Sequence, residues 1–142
     1  MIGSPHLHYR LTDSTNARAR ELAATGAPHG TLVTAAEQTA GRGRQGRSWV
    51  AEPGAALLMS VVVRDVELAL LPLAAPVAVC EAAGPETRIK WPNDVWLGEG
   101  RKLAGILIEG RPQDGWAVVG IGLNVGAPPE EVRHIAASLG GD

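Results

Sequence analysis

The hydrophobic pattern along the chain alternates between helix-length and strand-length segments. Asp13 to Ala24 reads as a helix, with Asp13 or Ser14 as cap and Gly26 as its stop. Thr31 to Ala36 reads as a strand, Gly41 to Pro53 as loop, and Ala55 to Val63 as a second strand ending in three valines. Leu70 to Ala83 has helical length but carries Pro72 and Pro76, so a late start or a kink is expected. Thr87 to Trp91 reads as a short strand, Pro92-Asn93-Asp94 as a turn, and Val95 to Leu97 as extended chain. After a turn at Gly98 to Gly100 come two very apolar strands, Leu103 to Glu109 and Trp116 to Val125. Arg111 to Gly115 joins them as a hairpin loop. Pro128 to Leu139 closes the pattern as a short helix. Helices bracketing a run of strands predict an α+β fold, with a mixed, mostly antiparallel sheet and helices packed on one face.

Length and composition narrow the class. At 142 residues the chain has the size of one domain. With 45% apolar and 20% charged residues it can build a core and is not a disordered tail. No apolar run approaches the roughly 20 residues that span a bilayer, and no secretory signal is visible, so no membrane partner and a cytoplasmic location are expected. A net charge of −2 disfavours a general nucleic-acid partner. The single cysteine, Cys80, excludes an internal disulfide, and reads as a small apolar helix residue. Only two lysines, Lys90 and Lys102, stand among many arginines, which marks them as places where a compact ammonium is wanted.

Five stretches carry candidate chemistry. Gly41-Arg42-Gly43-Arg44-Gln45-Gly46-Arg47 matches G-x-G-x-x-G, and Asp65 follows at about the right distance for a dinucleotide site. The next strand follows too soon for a helical crossover, so that reading is rejected. What remains is a flexible loop with three guanidiniums, suited to wrapping an anion or simply solvated. Lys90-Trp91-Pro92-Asn93-Asp94 reads as a strand ending in a turn, or as a Lys and Asp poised beside a metal-bound phosphate. Lys102 stands at the mouth of a strand that is apolar on both faces and therefore central. It either meets an anionic reacting group or is solvated. Gly120 and Gly122 share one face of the last strand, with Gly105 on its neighbour. They leave either a slot for a ligand or a bare surface for a helix, and Asn124 has the parity to close the slot with a polar end. Ser14-Thr15-Asn16 caps a helix and can also offer hydroxyl and N–H groups to a polar ligand. Together they sketch an apolar slot with polar groups at one end and cations where an anion sits.

These motifs, with Gln38 and Trp49, resemble the catalytic domain of biotin protein ligase in the family's order from about Thr12 to Val125. The resemblance implies a domain related to class II aminoacyl-tRNA synthetases. It implies a two-step reaction: biotin and MgATP give biotinyl-5′-adenylate, which is attacked by a lysine of biotin carboxyl carrier protein. Ser14, Thr15 and Gln38 match positions that hold biotin's ureido and ring system, and Asn16 belongs to the same motif. Gly41, Arg42, Arg44, Arg47 and Trp49 lie in the loop that orders over biotin and the adenylate. Lys102 matches the lysine at the biotin carboxylate and α-phosphate. Lys90, Asn93 and Asp94 match the nucleotide side, with Asp94 as a magnesium ligand. Gly105, Gly120 and Gly122 match the slot. Lys102, Arg44 and Asp94 are the expected catalytic set. Residues 1–142 are expected to form one catalytic domain without a DNA-binding domain or the family's C-terminal β-barrel. A homodimer through an open strand edge fits the family. A non-catalytic biotin-binding module and a lipoate or octanoate transferase are the alternatives, although the latter's aromatic-His-Asp stretch is absent.

Overall fold

A computed structural model describes residues 1–98 and 100–140. Seven strands form one sheet: β1 (His6–Thr12), β2 (Leu32–Gln38), β3 (Ala56–Arg64), β4 (Thr87–Lys90), β5 (Asp94–Leu97), β6 (Arg101–Arg111) and β7 (Trp116–Asn124). Their order is β1-β2-β3-β7-β6-β5-β4. Only β1 and β2 run parallel; every other neighbouring pair is antiparallel. The two helices are α1 (Thr15–Ala24) and α2 (Leu71–Ala83). The fold is the expected α+β class with a mixed, mostly antiparallel sheet.

The helices take opposite faces of that sheet, which corrects the expectation that they share one. Ala19 and Ala23 of α1 pack with Val33, Val62, Val118 and Trp116. Ala75 and Val79 of α2 pack with Val61, Val63, Val119 and Leu123, the residues of opposite parity. The cause is legible in the strands: β3, β6 and β7 are apolar on both sides, so each side needs a cover. Small alanines let α1 sit close to its face, and that closeness sets the depth of the cavity described below.

Three further expectations change. β1 is an added edge strand: Leu7, Tyr9 and Leu11 alternate with polar residues, a short signal that gains meaning only when α1 carries the chain to β2. α2 starts at Leu71 and runs unbroken through Pro76, whose ring is buried. No helix forms over 128–139. A 3-10 turn at Glu130–Val132 is followed by a second turn that ends at Ile135, and only from Ala136 does the chain run beside β6. The amide of Lys102 donates to Ile135 O at 2.9 Å, and that of Ala137 to Lys102 O at 2.8 Å. β7 has no partner for β6 beyond Ala104, so the backbone of Lys102 would otherwise lack a neighbour on that side, and the tail satisfies it.

One irregularity matters for function. Val95 pairs with Ala104 and Trp96 with Lys102, so Leu103 is one residue too many on β6. This bulge turns both Leu103 and Ala104 into the α2-side core, where both are fully buried. It thereby returns Lys102 to the α1 face, the face of Gly105. We expect Leu103→Ala to cost about 2–5 kcal/mol of stability, read from urea unfolding, whereas truncating exposed Ile135 should cost less than about 0.5 kcal/mol.

Candidate active site

The α1 face of β6 and β7 forms the floor of a cavity of about 300 Å³. Leu107 pairs with Gly120 and Gly105 with Gly122, so the glycines lie side by side. A Cβ on Gly122 would lie 2.6 Å from Trp49 Cε2, and one on Gly105 would lie 3.1 Å from Trp49 Cζ3. The indole therefore rests where side chains would otherwise stand. Its Nε1–H is buried and unpartnered among the described residues. Over Gly120 a Cβ would collide with the Asn16 carboxamide, so this glycine lets α1 approach the sheet.

The arginine loop closes over this floor. Trp49 N–H donates to Gly41 O at 2.9 Å, and Gly43 N–H to Arg47 O at 2.7 Å. A Cβ at Gly41 would lie 2.5 Å from Trp49 O, so the close strand approach needs glycine there. The turn at its tip puts Gln45 and Gly46 at positive φ. Two contacts tie the loop down: Arg44 Nη1 donates to Asn93 Oδ1 at 2.6 Å, and Arg42 Nη2 to Glu109 Oε1 at 2.9 Å. Asn93 is itself fixed, its Nδ2 donating to Ile106 O at 3.2 Å.

At the other wall the polar groups form a directed chain. Asn16 Nδ2 donates to Leu107 O at 3.2 Å and to Glu109 Oε1 at 3.1 Å. Its Oδ1 must then accept, and Ser60 Oγ lies 2.5 Å away. That uses the one Ser60 proton, so Thr15 is the donor in the 2.8 Å contact between the two hydroxyls. Gln38 Oε1 accepts from Thr15 N–H at 2.7 Å, leaving its amide NH₂ as donor. Ser14 caps α1 by accepting from Ala17 N–H at 3.4 Å. Just ahead, Ser14 N–H holds the Asp13 carboxyl below its ordinary pKa, helped by Thr12 and Arg18 and opposed by desolvation.

Cations gather at the far end. Lys102 Nζ lies 3.2 Å from Asp94 Oδ1 and 5.4 Å from the Trp49 ring centre. Lys90 Nζ sits 4.6 Å over the Trp96 ring. Arg42, Arg44 and Arg47 complete the rim. The structure brings Ser14, Thr15, Asn16, Gln38, Arg42, Arg44, Arg47, Trp49, Lys90, Asn93, Asp94, Lys102, Gly105, Gly120 and Gly122 to one cavity. Gly41 stands behind it as the loop's base. Asn124 lies outside: it is buried, and its Nδ2 donates to Ala137 O at 3.0 Å, holding the tail. Asn16 lines the cavity, but its amide is committed within the protein. Sequence reading passes over Ser60, whose signal was a lone polar residue in an apolar strand, and assigns Glu109 no role. Among the described residues no group of three or more His, Cys, Asp or Glu side chains could cage a metal, and no helix is long and apolar enough to cross a membrane.

The cavity is a glycine-floored slot with amide and hydroxyl groups at one end and cations at the other, a shape and polarity that suit an elongated, acid-bearing ligand. The chain belongs to the biotin/lipoate A/B protein ligase family, whose profile matches residues 8–125. It is 46% identical to the biotin–[acetyl-CoA-carboxylase] ligase of Mycobacterium tuberculosis over 90% of this chain and 52% of that relative. The biotin protein ligase of Leishmania major, solved with biotinyl-5-AMP, superposes with a TM-score of 0.76 at 30% identity, covering 94% of this chain and 62% of that one. That of Aquifex aeolicus, solved with biotin and ATP, gives 0.74 at 32% identity, covering 94% and 59%. The chain spans about half the length of the curated relatives it matches. Gly122→Val should displace the Trp49 ring and weaken binding of a slot ligand at least about tenfold with the fold retained, measured by calorimetry and circular dichroism.

Proposed function

We propose that this domain activates biotin with ATP and passes the biotinyl group to a lysine of a carrier protein. The observation that carries the reading is Lys102 Nζ, set by the β6 bulge at the junction of the apolar slot and the arginine-rimmed mouth. Solved relatives containing biotin, biotinyl-5-AMP and ATP support it. The slot takes the bicyclic end of biotin. Gln38 NH₂ donates to its ureido oxygen, and the acceptor side of Thr15 meets a ureido N–H. The valeryl chain crosses Trp49 and the glycines toward Lys102.

In the first step a biotin carboxylate oxygen attacks the α-phosphorus of ATP. The new O–P bond forms as the bond to pyrophosphate breaks, and the electrons leave with pyrophosphate. Two anions must meet for this, and fixed ammonium and guanidinium groups stabilise the transition state. Lys102 bridges carboxylate and α-phosphate, and Arg44 faces the phosphates from the loop. Asn93 and Asp94 lie on the nucleotide side. A magnesium ion bound mainly by phosphates needs one or two protein carboxylates, which Asp94 fits; it would supply further charge neutralisation. In the second step the neutral amine of a carrier lysine attacks the biotinyl carbon. The C–N bond forms, the C–O bond to AMP breaks with its electron pair leaving on AMP, and the nitrogen gives up a proton to leave the amide. The loop excludes water from the mixed anhydride meanwhile.

The test is pyrophosphate release on mixing the chain with biotin and MgATP. Release dependent on biotin is expected; biotin binding without release would instead identify a non-catalytic module. Lys102→Ala should slow release about 10²–10³-fold while circular dichroism stays unchanged, and an equal rate would remove Lys102 from its role.

A further inference from the structure

Glu109 touches the loop and α1 at once yet does not line the cavity. Its Oε1 accepts from Arg42 Nη2 at 2.9 Å and from Asn16 Nδ2 at 3.1 Å, and its Oε2 from Arg20 Nη1 at 3.3 Å. Val118, its partner on β7, packs beneath α1, so the carboxylate rises on the same face as the glycine floor. Among the described residues it is the carboxylate that joins the arginine loop to α1.

We propose that Glu109 is a positioning residue: it latches the arginine loop over the cavity through Arg42, while Asn16 and Arg20 hold its carboxylate in place. The division of donors makes the latch reversible. When Arg42 swings away, Asn16 and Arg20 still satisfy the carboxylate, so opening leaves no buried charge unpaired. Arg42 and Arg20 are 43% and 47% exposed, so the pair is screened by salt and its worth is modest. The Arg44–Asn93 hydrogen bond and the seat of Trp49 remain when it breaks. Losing the latch therefore raises the open fraction of the loop by about two- to fivefold rather than freeing the loop outright. Faster escape of a bound ligand follows only if the cavity is the biotin site, as proposed above; the loop's own closure does not depend on that reading.

The loop carries its own reporter, because trypsin cuts after Arg42, Arg44 and Arg47. Cleavage of a transiently opened segment follows its open population. In ligand-free protein at about 50 mM NaCl, Glu109→Gln should be cut in the loop about two- to fivefold faster than the parent. At about 500 mM NaCl the parent should approach the variant's rate, while the variant changes little beyond trypsin's own salt response on an unfolded substrate. A purely structural role would not give that convergence. If Glu109→Gln fails to fold, Arg42→Gln serves instead, read at Arg44 and Arg47. Equal cleavage rates and equal salt responses in parent and variant would overturn the latch. In a second arm, biotin should dissociate from Glu109→Gln faster by a similar factor. A parent that binds no biotin would count against the proposed function and leave the cleavage result standing.

Discussion

Everything at the site depends on a patch of sheet that carries no side chains. Gly105, Gly120 and Gly122 sit on adjacent strands, and two groups from elsewhere in the chain take the vacated space. Asn16 descends onto Gly120 and brings the N-terminus of α1 within reach of Ser60 and Glu109. Trp49 descends onto Gly105 and Gly122 and brings the arginine loop with it. Glycine in a strand weakens the sheet, and the same two strands offset this with the burial of Val118, Val119, Leu123, Ala104 and Ile106. A Cβ at Gly120 or Gly122 would push one wall of the cavity away.

The second constraint is where the cation stands. A regular β6 would point Lys102 toward the α2-side core, where an ammonium could not be tolerated. The extra residue, Leu103, reverses this, and the tail then holds both the N–H and the C=O of Lys102, through Ile135 and Ala137, on the side away from β5. Lys102 thus has an anchored backbone and a partly exposed ammonium paired to Asp94, a partner of comparable exposure. Such a pair is weak enough for Lys102 to exchange Asp94 for an incoming anion. The arginines add charge from a loop held over the glycine floor by Asn93 and Glu109.

The sequence carried much of this, and the misses have physical reasons. Both helices and every strand from β2 onward were legible from apolar runs and turn residues, because strong local patterning set them. The glycine parity of Gly120 and Gly122 correctly announced a bare face, although Gly120 serves helix packing as well as the cavity. β1 escaped because an edge strand of alternating exposed residues has little apolar content. The tail from 128 to 139 has helical composition, but its turns stop at Ile135, where the open backbone at Lys102 and the buried Ala136, Ala137 and Ser138 draw the chain out beside β6. Asn124 had the right parity and the wrong place: the tail claims its amide. The opposite placement of the two helices could have been inferred from strands apolar on both faces. The bulge could not, because Lys102-Leu103-Ala104 shows no break in its pattern.

The central claim is that biotin lies on the glycine floor against Trp49. Four tryptophans give four indole N–H resonances in a ¹⁵N-labelled sample, and they occupy distinct settings: the floor (Trp49), the exposed rim (Trp91), beneath Lys90 (Trp96) and the core under α1 (Trp116). On titration with biotin, the Trp49 indole should shift most and Trp116 should stay still. Saturable binding that leaves the Trp49 resonance unmoved would contradict the account and place the ligand elsewhere.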